Sequence, residues 1–147
     1  MHHGVTEGTE RADNKVEAMK DFWELGAWKR AHALDRWVFA LICTHPELAR
    51  YGLAPQMRSA SIAVAARIAE GCGAYGNNDG HWHFNAALGA LSSLDYLVFL
   101  AFEHGLIADA RVQWFIAIKI DIQERLRALL AEEETERRNP ASLTLVQ

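Results

Sequence analysis

Three charges stand inside otherwise apolar stretches of the chain: Arg58, Glu70 and Asp95. A charge that folding removes from water must meet a partner. Arg58 paired across helices with Asp95 or Glu70 would form either an ion pair that fixes helix register or a polar pocket that holds a ligand or moves a proton. The apolar surroundings favour the register pair. Arg67 and Glu70 lie three apart on one helix face and offer a purely local pairing. A second group is Cys72, Asp79, His81 and His83. Residues i and i+2 of a helix point to opposite sides, so His81 and His83 chelate one ion only from irregular backbone. Asp79 and His83, at i and i+4, can share a face. Zinc takes three or four protein ligands, and no second cluster completes this set. No metal and no cofactor is expected. There is no Gly-x-Ser-x-Gly, P-loop or dinucleotide fingerprint. Cys43 reads as packing on the apolar side of its helix, and Cys72, between two glycines, as accessible. No catalytic residue is expected, and the chain is not expected to be an enzyme.

Nucleic-acid binding needs a basic surface. The chain has 147 residues, with 15 Lys+Arg against 19 Asp+Glu and a formal net charge of −4. Between Phe22 and Ala131 the two signs balance, so the excess negative charge sits at the ends. A symmetric assembly could still gather Lys29, Arg30, Arg36, Arg125 and Arg127 on one face and multiply a modest patch. The mixed charge favours an ordinary solvated surface instead. The tryptophans at 23, 28, 37, 82 and 114 read as core and interface anchors. Half the residues are hydrophobic and 23% are charged, a globular composition for one domain. Two cysteines make no disulfide framework, and Met1 to Lys20 has no apolar signal-peptide core. The expectation is a soluble, cytoplasmic protein.

Helices must position these residues. Residues 1–20 read as a loose arm, in which His2 and His3 receive no function. From Asp21 to about Cys43, apolar residues recur at threes and fours: Phe22, Leu25, Trp28, Ala31, Leu34, Trp37, Val38 and Leu41. Thr44-His45-Pro46-Glu47 matches a capping box and predicts a short helical turn closed by Arg50-Tyr51-Gly52. A second long helix runs from about Leu53 to Glu70 on Met57, Ala60, Val64 and Ile68, rich in small residues, and ends at Gly71-Cys72-Gly73. After the turn Gly76 to Gly80, with Asn78 or Asp79 as cap, a third runs to about Glu103 and stops at His104-Gly105. A fourth runs from Asp109 to about Glu134. Residues 139–147 read as a tail. No strand pattern and no repeat is present. Short connections predict an all-α, antiparallel, up-down-up-down four-helix bundle over residues 21–138.

The third long helix is unusual. Between Phe84 and Phe102 its one formal charge is Asp95. A helix apolar on every side is buried in a large core, an oligomer or a membrane. Asn85, Ser92, Ser93 and Asp95, and the lack of basic flanks, argue against a membrane span. Three neighbouring helices cannot cover all of it, so the chain is expected to self-associate. Leu97 and Phe99 are assigned to its oligomer or core face.

Several ordered blocks then carry a resemblance. Phe22, Leu25, Trp28, Ala31 and His32 form one. Tyr51, Gly52, Leu53, Gln56, Met57 and Arg58 form the next. Ile68, Ala69, Glu70, Gly71 and Gly73 follow, then Gly89, Leu91, Leu94 and Asp95. Over roughly Phe22 to Leu130 the chain resembles the 23S rRNA intervening-sequence proteins, a four-helix-bundle family. Where that family reads Ser-Ile-Pro-x-Asn, this chain has Ala63 to Arg67. Ser93 and Asp95 stand at the two family glutamates, and Ala74 replaces a basic residue. The resemblance implies small bundles that assemble as rings, commonly pentamers, with no established biochemical activity. It also implies kinship with the accessory variability determinants of diversity-generating retroelements, whose pentameric barrels bind nucleic acid and a reverse transcriptase. The expected role is a non-catalytic structural or protein-interaction module. A nucleic-acid accessory role, with contacts at Lys29, Arg30, Arg125 and Arg127, is the alternative.

Overall fold

The computed structural model describes residues 21–75 and 79–139. The expected arm 1–20, the candidate cap Asn78 and tail residues 140–147 lie outside the described residues. Within them are a 3-10 turn, Phe22–Glu24, and five α-helices, with no strand: α1 Gly26–Thr44, α2 Glu47–Arg50, α3 Leu53–Ala74, α4 Gly80–Glu103 and α5 Asp109–Arg138.

Helix α1 buries Ala27, Ala31, Leu34, Val38 and Leu41, each three or four residues from the next. That spacing puts one apolar stripe inward. Helix α1 packs on α3 and on α5, α3 packs on α4, and α4 packs on α5. One core cluster joins all of them, with Met57, Val64 and Ile68 from α3 and Phe84, Leu91 and Leu94 from α4. Phe115, Ile122 and Leu126 complete it from α5. Each such side chain contributes roughly 1.5–3 kcal/mol by leaving water.

The periodicity beginning at Asp21 is interrupted. Leu25 is extended (φ −76°, ψ 127°), so the first turn separates from α1. The break folds Phe22 edge-on against Trp28, with ring centroids 5.1 Å apart. The capping box is not formed. Thr44 is the last residue of α1, and its hydroxyl donates back to the Ala40 carbonyl at 2.9 Å. Pro46 stands at the N-cap of α2 without a side-chain cap bond.

Gly71 and Gly73 do not end α3, which continues to Ala74. Gly71 serves contact instead. A β-carbon there would come within 2.5 Å of the Phe84 ring, so the missing side chain lets α3 and α4 approach closely. The left-handed turns lie elsewhere, at Gly52 (φ 76°) and Gly105 (φ 72°). At Gly105 the amides of Gly105 and Leu106 donate to Phe102 and Ala101 at 2.9 and 2.8 Å. These are the two bonds of a Schellman stop, and they end α4 where its sequence predicts.

Candidate functional site

Arg58, Glu70 and Asp95 are not brought together. Arg58 lies on the α1 side of α3 and donates to Asp35 Oδ1 at 3.0 Å. Ser61, fully buried, donates to the same oxygen at 2.8 Å. The guanidinium also covers the Phe39 ring, 4.9 Å from its centroid. The cross-helix partner of Arg58 is therefore Asp35 of α1, a residue of an ordinary polar helix face, and not the expected Asp95 or Glu70. Asp95 turns to α5 and accepts from Lys119 Nζ at 3.0 Å. Glu70 takes the local pair with Arg67 at 3.0 Å. His83 Nδ1 also stands 3.0 Å from Glu70, without hydrogen-bond geometry. Each charge is matched separately: Arg58 and Asp95 each pair with a neighbouring helix and Glu70 pairs with Arg67 within α3, so the three form no convergent pocket.

The four candidate cations divide. Arg30 and Arg125 meet on one carboxylate, with each Nε 3.0 Å from an oxygen of Asp121. The guanidinium of Arg125 lies directly over Gly26. Beside them an open groove of about 260 Å³ is lined by Arg30, Trp114, Ala117, Ile118 and Asp121, and Trp114 stacks on Trp37 at 5.1 Å. Lys29 and Arg127 are exposed. Arg127 follows Arg125 by two residues, about 200° around the helix, and so occupies the opposite flank of α5. One continuous basic face is not assembled.

The histidines separate as well. His81 Nδ1 accepts from Arg137 at 2.6 Å, while His83 faces Glu70. Among the described residues no three His, Cys, Asp or Glu side chains converge on a point. The cysteine assignments reverse: Cys43 is exposed and Cys72 is buried. Cys72 follows Ile68 by four residues and continues the buried stripe of α3. Burial pushes its thiol up to about 11. Tyr75, also buried, is raised above its ordinary range, first by burial, then by the nearby Glu132 and Glu136 carboxylates. Its hydroxyl donates to Glu136 at 3.3 Å.

Glu133 went unnoticed inside the terminal charge run. It is only 4% exposed, and among the described residues neither carboxylate oxygen has a hydrogen-bond partner. They lie against Gly80, the first residue of α4, where a β-carbon would meet both at 3.1 Å. The signal was available in the spacing, since Glu133 follows Leu126 by seven residues and falls on the buried stripe of α5.

The largest unexplained feature is the outer side of α4. Leu97 belongs to the core at 8% exposed, whereas Phe99 is 53% exposed. Two residues apart on a helix, they face different ways, so the single face assigned to both is corrected. The outer line reads Trp82, Asn85, Gly89, Ser92, Tyr96 and Phe99, all exposed and none charged. Trp82 and Tyr96 are 59% and 61% exposed. With 24 residues, α4 is long and apolar enough to cross a bilayer, yet 39% of its most apolar window is buried against the rest of the chain. Between the outer sides of α3 and α4 runs an open groove of about 360 Å³ with no charged residue in its lining.

Residues 23–128 match the family described as 23S rRNA-intervening sequence protein. No curated protein matches the chain.

Proposed function

The chain belongs to the 23S rRNA-intervening sequence protein family, and from that premise we propose a non-catalytic, homo-oligomeric bundle that acts as a structural or protein-interaction module in the cytoplasm. Its four long helices are antiparallel, up-down-up-down. Support comes from the closed cycle of packing, α1 on α3, α3 on α4, α4 on α5 and α5 on α1. Five copies in a ring is the assembly the resemblance implies. The observation that carries self-association is the outer line of α4, where Trp82, Tyr96 and Phe99 stand exposed and charge enters only at the ends and flank, with Arg67 over the Trp82 ring, Asp95 beside Phe99 and Glu103 one turn beyond it. Apolar surface gathered in one stripe marks an interaction site. Helix α4 meets protein there, since its other face already packs into the chain's own core.

A second reading, a nucleic-acid accessory role, draws on the Arg30 and Arg125 guanidiniums beside exposed Trp114. The shared Asp121 cancels one of those charges, and Arg127 lies on the other flank. Light scattering on the pure protein, with and without mixed single- and double-stranded RNA and DNA at low and moderate salt, tests both. The expected result is a mass well above 16.5 kDa, about 83 kDa for five copies, unchanged by nucleic acid. A monomer across the micromolar range overturns the module. Salt-sensitive binding that Arg30→Ala and Arg125→Ala abolish establishes the accessory role instead.

A further inference from the structure

Gly89 stands in the middle of α4, where a glycine weakens the helix because it gives up more conformational freedom than any other residue. Among the described residues nothing requires it: a β-carbon there would meet no atom of them within 4 Å. It also lies on the uncharged outer line, between Trp82 and Tyr96. Beside that line the groove between α3 and α4 is walled by Ser59, Ala60, Ala63, Ala90, Ser93 and Leu97. Its floor is concave because these side chains are small. From Ser59 to Ala66 helix α3 carries no charge. The cations on either side are engaged, Arg58 with Asp35 and Arg67 with Glu70. Asp95, the one charge of central α4, is paired with Lys119 at 3.0 Å and stays partly exposed.

The molecule therefore presents an exposed aromatic ridge on the outer side of α4, bordered at Phe99 by Asp95 and Glu103, and an uncharged small-residue groove on the α3 side of the same helix. We infer that the α3/α4 groove of one copy receives the Tyr96–Phe99 ridge of a second copy, with Gly89 letting the two backbones close together. This rests on the self-association proposed above and goes beyond it by naming the two patches and their polarity. The occupant is a second copy because the chain itself carries the complementary shape, and because a groove without a free cation offers nothing to a nucleic acid. Ridges of one helix pack into the grooves of another as in protein interiors. Contacts between two different patches are head-to-tail, and they close into a ring when the rotation permits.

Mixing variants tests this. Ser93→Trp fills the groove and leaves the ridge intact; Phe99→Asp charges the ridge and leaves the groove intact. Both positions are exposed, so the core is not touched, and circular dichroism checks the fold of each. Ser59→Trp is a second groove filler, from α3. Each variant alone is expected at 16.5 kDa where the wild type is assembled, and their mixture at about 33 kDa, a one-to-one complex that cannot grow. Gly89→Leu is expected to raise the melting temperature while lowering apparent assembly affinity at least tenfold, a combination that a purely structural glycine cannot give. An assembled wild type whose folded variants assemble normally, or whose mixture remains monomeric, overturns the ridge-in-groove contact and leaves self-association standing. A monomeric wild type overturns both. Flotation of wild type, but not Phe99→Asp, with neutral phosphatidylcholine vesicles assigns the ridge to lipid and overturns the second copy.

Discussion

Asp35 accepts from Arg58 and from the buried Ser61, so removing it breaks a charged bond between helices and leaves the Ser61 hydroxyl only the Arg58 carbonyl at 3.0 Å. Asp35→Ala is expected to cost about 1–3 kcal/mol in urea unfolding, more than Glu70→Ala, whose Arg67 pair is exposed and worth well under about 1 kcal/mol. Glu133 presents the opposite case. Its buried carboxylate has no hydrogen-bond partner among the described residues, and an unpaired polar group costs about 1–3 kcal/mol by mutational measures. Glu133→Met keeps the length and removes the polar oxygens, so it is expected to raise the unfolding midpoint. The two cysteines give a direct check on burial. Iodoacetamide at neutral pH is expected to modify Cys43 alone, and Cys72 only after denaturation, read by mass spectrometry. The same burial sets an alkaline limit. The folded state holds the Cys72 proton until about pH 11, whereas the unfolded chain releases it near 9.0. Stability is therefore complete below pH 9 and falls as pH rises from there towards 11. Tyr75, raised from 10.0, pulls the same way. Unfolding midpoints measured from pH 7 to 11 should fall above 9, and Cys72→Ala should flatten that fall.

Helices α3 and α4 meet at Gly71, where the Phe84 ring occupies the space of a side chain. Phe84 is fully buried and cannot retreat into solvent. Gly71→Ala is expected to destabilise by about 1–3 kcal/mol, although alanine is the better helix former, and a differential scanning trace would show it. The element boundaries show where local pattern suffices. Gly105 at the end of α4 was legible because a left-handed stop is made by the few residues around it. Gly71 was misread as a stop because its purpose is set by Phe84, thirteen positions away in the chain. The capping box failed for a similar reason. The Thr44 hydroxyl found carbonyls of its own helix, and Pro46 took the cap position.

At the scale of the whole molecule, Leu97→Asp and Phe99→Asp separate two surfaces that one label had joined. Leu97→Asp buries a charge in the core and is expected to unfold the protein. Phe99→Asp places it on the outer line and is expected to leave the helical signal and the melting temperature of the subunit unchanged while abolishing assembly. Circular dichroism with light scattering on both distinguishes them. Trp82 and Tyr96 reach outward on the same helix as buried Phe84 and Leu94, so α4 has two apolar faces and one fold to satisfy. That excess was visible from the single charge between Phe84 and Phe102.

The sequence by itself determined the helices, their inward stripes, the family and the surplus of apolar surface on α4, because each follows from spacing along one helix or from ordered local blocks. Tertiary structure alone decided which charge meets which. Arg58 chose Asp35, Asp95 chose Lys119, and Arg30 and Arg125 converged on Asp121. These pairs depend on how each helix is rotated about its axis against its neighbours, and that rotation is set by the sum of core contacts, which no single stretch of residues contains.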